Sequence, residues 1–379
     1  MAEKITCVNG NVLKWARLQC GDIKLTSIQE ILPQIERWEN GEDFPTYAQL
    51  EKLANAYKKP IAVFFFPYPP EGISYQAEFR TTSDAEISLL SHKITRLINE
   101  ALVMQINIQE LNPKMKLAEH VLHNKLKGLS SHELESATRR FLNVSIEKQL
   151  NTNSPKVMLD IWRNAFFNQG IYVFKEAFHD DSISGFCIYD RQIPIIYLNN
   201  SMSFTRQIFT LFHELYHLIH ETGGIDRLQE IADRDLSDQQ QQIEKQCNKF
   251  AAALLVPQNR LLDFIQGRDI KFELISSLAE RFCVSKESLI IRLIDLHLLD
   301  WEFYHAHIQD ISTDFKRSSS NKAGGNANYN LISYLGRNYL NLAFSAYREQ
   351  RIDAFQLASY TKTKVSNLPA LEKAWGWRV

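Results

Sequence analysis

Residues 208–220 read Ile-Phe-Thr-Leu-Phe-His-Glu-Leu-Tyr-His-Leu-Ile-His, an apolar run with two histidines four positions apart. On a helix such residues project from one face, one turn apart, so His213 and His217 can reach a single metal ion. Glu214, directly after the first histidine, can hold and deprotonate a water beside that metal. The arrangement requires a helix at the centre of the site, and it is the working part of a zinc hydrolase.

Two histidines do not complete such a site. A catalytic zinc takes three protein ligands and keeps a further position for water. A third histidine on the same segment, as in metzincins, is excluded because Gly223 stands at its position. The remaining donors are His220, Glu221, Asp226, Glu230 and Glu244. His220 lies about 4.5 Å farther along the helix axis, which makes it a groove-lining residue rather than a ligand. Glu244 begins a second segment of helical spacing whose other face carries Phe250 and Leu254. Docked against the first helix, it would deliver one carboxylate to a His–His pair, the gluzincin arrangement.

The whole chain bounds where such a site can work. At 379 residues and 45% hydrophobic content it can fill two or three cores. A formal net charge of −1 exerts no global pull toward nucleic acid or anionic membranes. The five cysteines (Cys7, Cys20, Cys187, Cys247, Cys283) form no CxxC pair, which favours a reducing compartment. Cys247 reads as a small packed residue. The N-terminus lacks the apolar core of a signal peptide, and no apolar stretch approaches the roughly 20 residues that span a bilayer. The expectation is a cytoplasmic protein with no membrane partner.

Along the chain, residues 1–70 read as a small helical module and 71–154 as a helical connecting region. Residues 155–310 carry the metal motif and the helices after it. The stretch 311–328, containing KRSSSNKAGGNAN, reads as a linker, and 329–379 as a C-terminal helical region. Strands are expected at Ile171–Phe174, Ile183–Tyr189 and Ile193–Leu198. Residues 221–243 read as a polar loop with a solvated helix start, and the glutamine run 239–242 as mobile. His305 and His307 alternate as in a strand and read as surface residues. Phe64-Phe65-Phe66 reads as packing between the first two domains. The expected fold class is α+β: a mainly helical chain with a small-sheet, zincin-like domain flanked by helical domains.

The string HELYHLIH, followed by Glu244-Lys-Gln-Cys-Asn-Lys-Phe-Ala-Ala-Ala-Leu-Leu-Val-Pro257, resembles the ImmA/IrrE family of metallopeptidases. Cys247 stands where that pattern has alanine. Arg206, Phe209, Thr210, Gly185 and Ile195–Asn199 match the family's lead-in and sheet. The resemblance implies zinc held by His213, His217 and Glu244, with Glu214 as general base. Tyr216, His220, Tyr197 and Arg206 are candidates for substrate or oxyanion contacts. It implies an endopeptidase acting on an intracellular protein, a transcriptional repressor or similar regulator. The alternative is a non-enzymatic regulator or toxin–antitoxin-like component.

Trp38–Gly41, Pro45-Thr46 and Leu50–Ala54 resemble the end of an Xre-type helix-turn-helix, which many members carry in front of the protease. Here Glu36, Glu39, Glu42 and Asp43 cluster where a DNA-reading module needs basic residues, and Pro33 interrupts the segment of the recognition helix. The module reads as a degenerate unit for packing or protein docking rather than for DNA.

Overall fold

The structure, a computed structural model, describes residues 4–6, 8–18, 32–57, 61–65, 92–112, 121–221, 224–227, 238–319 and 326–376. Its contacts separate two compact units, residues 1–74 and 75–379.

The first unit holds helices α1 (Gly10–Leu18), α2 (Leu32–Glu39) and α3 (Tyr47–Tyr57) and a 3-10 turn (Ile61–Phe65). Val12, Leu13, Trp38, Leu50, Leu53 and Phe64 form its core. Arg17 donates two hydrogen bonds to Glu39, at 2.7 and 2.8 Å, and so ties α1 to α2. Pro33 does not interrupt a helix but stands second in α2. There a missing N–H costs nothing, because the first turn has no partner for it. Phe64 is buried in this unit's own core while Phe65 is exposed. The two therefore do not act as one packed stripe, and Phe66 lies outside the described residues.

In the second unit, α4 (His92–Leu111), α5 (Val121–Leu126), α6 (Ser131–Leu142), α7 (Ile146–Leu150) and α8 (Pro155–Asn168) precede the sheet. Strands β1 (Tyr172–Glu176), β2 (Ile183–Ile188) and β3 (Ile195–Asn199) follow, then helix α9 (Phe204–Ile219), strand β4 (Gly224–Arg227) and helix α10 (Asp238–Leu255). Beyond it run α11 (Gln258–Ile265), α12 (Phe272–Phe282), α13 (Lys286–Asp295) and α14 (Trp301–Ser319). The last described helices are α15 (Ala327–Leu335), α16 (Arg337–Arg348), α17 (Ala354–Tyr360) and α18 (Leu368–Trp375). A mainly helical unit around one small sheet is an α+β fold.

The sheet order is β1-β3-β2-β4, with β1 and β3 parallel and both other pairings antiparallel. Successive side chains alternate between its faces. Val173, Cys187, Ile196 and Leu198 pack with α8 and α9, while Phe174, Phe186, Ile195 and Tyr197 pack with α4 and the C-terminal helices. Both faces are covered, which is why the three sequence-legible strands are mostly apolar rather than strictly alternating.

Four expectations change. Residues 224–227, read as loop, form edge strand β4; a strand of four residues carries too little pattern to show in sequence. The glutamine run 239–242 lies in the opening turns of α10. Residues 311–319, read as linker, continue α14, so His305 and His307 are helical; His307 stacks on Phe303 and Phe272 at 4.3 and 4.9 Å. The regions 71–154, 155–310 and 329–379 do not stand apart but pack as one unit from residue 75 onward. Arg163 shows how. Its buried guanidinium donates to Val173 O at 2.9 Å, Ser333 O at 2.7 Å and Tyr334 O at 3.1 Å, which pins α8, β1 and α15 together.

Helix α9 is buried on nearly every side, from Gln207 through Ile219. Ser203 caps its N-terminus, accepting from Arg206 N at 3.2 Å. Trp162 of α8 meets Phe212 edge-on at 4.7 Å, and Phe166 meets it at 5.8 Å. Burying side chains such as Phe212, Leu211 and Leu215 contributes roughly 1.5–3 kcal/mol each. On the sheet side the helix comes so close that only glycine fits. A Cβ on Gly185 would stand 2.5 Å from Thr210 Cγ2 and 2.8 Å from Tyr197 O. Gly185→Ala is therefore expected to destabilise the second unit by about 1–3 kcal/mol, the usual cost of overpacking. Urea unfolding checks this, and an unchanged midpoint would mean that α9 is free to back away from the sheet.

Candidate metal centre

Packing α9 against α10 brings four donor groups to one point. His213 Nε2 and His217 Nε2 lie 3.3 Å apart, as residues one helical turn apart should. Glu244 approaches from α10, with Oε2 3.0 Å from His213 Nε2 and Oε1 3.3 Å from His217 Nε2. Cys247, one turn after Glu244, places Sγ 3.4 Å from His217 Nε2. Both histidines and Cys247 are buried, whereas the Glu244 side chain is 27% exposed. Glu214 is fully buried on the same turn as His213.

Asn248 stands against the outer nitrogen of the first imidazole. Its Oδ1 lies 2.9 Å from His213 Nδ1 and can accept the proton there. With the proton at Nδ1, a neutral ring presents only a lone pair at Nε2, facing a carboxylate oxygen. Two acceptors at 3.0 Å need a proton or a cation between them. Burial by itself would raise the Glu244 carboxyl; with the imidazole protons at Nε2 instead, hydrogen bonds from His213 and His217 outweigh that and hold it well below the usual carboxylate range.

The spacings suit a divalent cation. Tetrahedral bonds of roughly 2.0–2.1 Å to nitrogen or oxygen set two such atoms about 3.3 Å apart. The two imidazole nitrogens stand 3.3 Å apart, and each meets a different oxygen of the Glu244 carboxylate, at 3.0 and 3.3 Å. Two imidazoles and a carboxylate are the donor set that zinc takes.

The frame behind the donors is rigid. Helix α10 ends without a following turn of its own to bind its last carbonyls, and side chains from other elements supply the donors instead. Arg139 Nη2 donates to Leu254 O at 2.7 Å, and Gln149 Nε2 donates to Leu255 O at 2.9 Å and to Phe282 O at 2.6 Å. Burial lowers the Arg139 guanidinium to about 10, so it keeps its charge near neutral pH.

The other expected site residues are not drawn into the cluster. His220 is half-buried, its Nδ1 2.9 Å from Tyr216 O and its ring stacked on Tyr216 at 4.0 Å. Burial lowers its pKa. Tyr216 donates to Gln246 Oε1 at 3.0 Å. Arg206 sits two turns before His213 and donates to Ser184 Oγ at 3.0 Å. Tyr197 is fully buried on the opposite face of the sheet, stacked on Phe186 at 5.2 Å. Strand alternation turns it away from α9, which removes it from the contact candidates. Of the remaining carboxylates, Glu221 is held by Tyr189 Oη at 3.1 Å and by Lys127 Nζ at 3.4 Å, and Glu230 lies outside the described residues. Sequence reasoning missed Asn248. Its signal was the i, i+4 spacing from Glu244, which puts both on one helix face.

Residues 168–293 match the Peptidase M78 family, described as the IrrE N-terminal-like domain. That span runs from the end of α8 through the sheet, α9 and α10 to α13, so it includes every donor of the cluster. A stretch of 108 residues is 33% identical to the radiation response metalloprotease IrrE of Deinococcus deserti. The alignment covers 28% of this chain and 38% of that protein, well under two thirds of the relative's length. Both matches support a metallopeptidase domain of the ImmA/IrrE kind in this part of the chain. Among the described residues no helix is long and apolar enough to cross a membrane.

If Asn248 orients His213, Asn248→Ala should weaken metal binding about 10–100-fold without removing a ligand. Competition with a chromophoric chelator measures this. Affinity equal to that of the parent would assign Asn248 to packing alone.

Proposed function

We propose that this chain is a zinc-dependent endopeptidase that cleaves a specific protein, a transcriptional repressor or similar regulator. The observation that carries the reading is the convergence of His213 Nε2, His217 Nε2 and the Glu244 carboxylate within 3.0–3.3 Å of one another. A bound zinc would supply Lewis acidity, polarising a peptide carbonyl and lowering the pKa of water toward neutrality.

The chain's own residues supply the rest. His213, His217 and Glu244 would hold the ion, and Asn248 would accept the His213 Nδ1 proton so that the Nε2 lone pair faces inward. Glu214 serves as general base, taking a proton from the attacking water on its carboxylate and passing it to the departing amine. A carboxylate kept fully out of water is costly, and a catalytic duty beside the metal gives a reason to retain it. Arg139 and Gln149, by fixing the end of α10, keep Glu244 in register with the histidines.

The regulatory part of the reading draws on kinship. The Deinococcus deserti relative is named for a radiation response and a metalloprotease activity together, and the ImmA/IrrE resemblance implies regulators as targets. We assign the work to the cytoplasm.

Glu214→Gln is expected to keep zinc yet abolish cleavage. Cells producing the parent chain should show new protein N-termini that are missing from cells producing the variant. Equal sets of termini in both would overturn the mechanism. Glu244→Ala should reduce bound zinc well below one ion per chain by elemental analysis, and full occupancy would remove it from the ligand set.

A further inference from the structure

We propose that Cys247 is a fourth protein ligand of the metal and that the site is therefore closed at rest. The inference rests on the metal reading of His213, His217 and Glu244. Helical spacing puts Glu244, Cys247 and Asn248 on one face of α10, turned toward α9. Cys247 is fully buried, and its Sγ lies 3.4 Å from His217 Nε2. The donor atoms of His213, His217 and Cys247 all lie within 4.8 Å of one another.

A cysteine that only fills space meets carbon. This sulfur meets the same imidazole nitrogen that the Glu244 carboxylate approaches at 3.3 Å. Tetrahedral bonds of about 2.3 Å to sulfur and 2.0–2.1 Å to nitrogen put the two atoms roughly 3.6 Å apart, close to what is seen here. Thiolate is also the softest donor in the cluster and a strong partner for zinc.

The consequence is functional. A hydrolytic zinc keeps one position for water or substrate, whereas zinc with four protein ligands has the closed shell of a structural site. With Cys247 in the fourth position, Glu214 stands beside a metal to which water has no access. On ligation the thiol proton leaves for solvent, and on release the sulfur takes a proton back, with no change in oxidation state. Docking of the substrate would then have to displace the thiol, so the chain would act only on a partner that opens the site.

The test uses the full chain loaded with cobalt(II) in place of zinc, with uptake measured by elemental analysis. The parent should show a sulfur-to-cobalt charge-transfer band in the near ultraviolet. Cys247→Ala should lose that band while keeping one cobalt and its visible ligand-field bands. Azide should shift those visible bands in Cys247→Ala and leave the parent unchanged. X-ray absorption on the zinc-loaded parent, which needs no substitution, should show one sulfur at about 2.3 Å. Bound cobalt without the charge-transfer band, a band that survives in Cys247→Ala, or azide acting equally on both would overturn the closed site. A parent chain that takes up neither metal would instead overturn the metal reading of the histidines and Glu244.

Discussion

Two helices that meet across a buried cluster of lone pairs set the terms for the rest of the second unit. Helix α9 brings two imidazoles out of water, and α10 brings a carboxylate and a thiol against them. In the tautomer whose Nδ1–H donates to Asn248 Oδ1, the inward-facing His213 nitrogen has nothing to donate, and the carboxylate beside it has only acceptors. Such a cluster repels itself unless a proton or a cation sits within it. The contact therefore does two things at once: it costs desolvation and it creates the attraction for a divalent ion.

Holding the two helices at the required distance falls to groups well outside the cluster. Gly185 lets α9 lie directly on β2, close enough that a methyl group would strike the Thr210 side chain. Trp162 and Phe166 press on Phe212 from the other side. Arg139 and Gln149 saturate the end of α10, and Arg163 binds the sheet to α15. The α10 anchors are charged or polar groups spending their hydrogen bonds on main-chain carbonyls, which fixes direction as well as distance. The helices at the C-terminus then cover the far face of the sheet, so the strands beneath α9 have no solvated side on which to slip.

The parts of the site legible in the chain were those written at helical spacing. His213, Glu214 and His217 announce themselves by i, i+1, i+4 positions within an apolar run, and Glu244 by the apolar face of the segment it starts. Three strands were legible because, buried on both faces, they are mostly apolar. Strand β4 was not, since four edge residues carry no period, and the tail of α14 was not, since its polar, serine-rich composition imitates a linker. Tyr197 looked available because sequence records which strand a residue is on but not which face of the sheet meets the helix.

The chain by itself determined the kind of chemistry, because metal-ligating residue types at one-turn spacing are local facts that any helix will honour. It also determined that the site sits in a core, through the leucines, isoleucines and phenylalanines around the histidines. Only the tertiary structure decided who the neighbours are. Whether Glu244 reaches the histidines, whether Asn248 sets the His213 tautomer and whether Cys247 packs or ligates depend on how α9 and α10 are rotated against each other. That rotation is set by distant contacts such as Gly185 with Thr210 and Gln149 with Leu255, whose partners lie 25 and 106 positions apart in sequence. No local pattern encodes it.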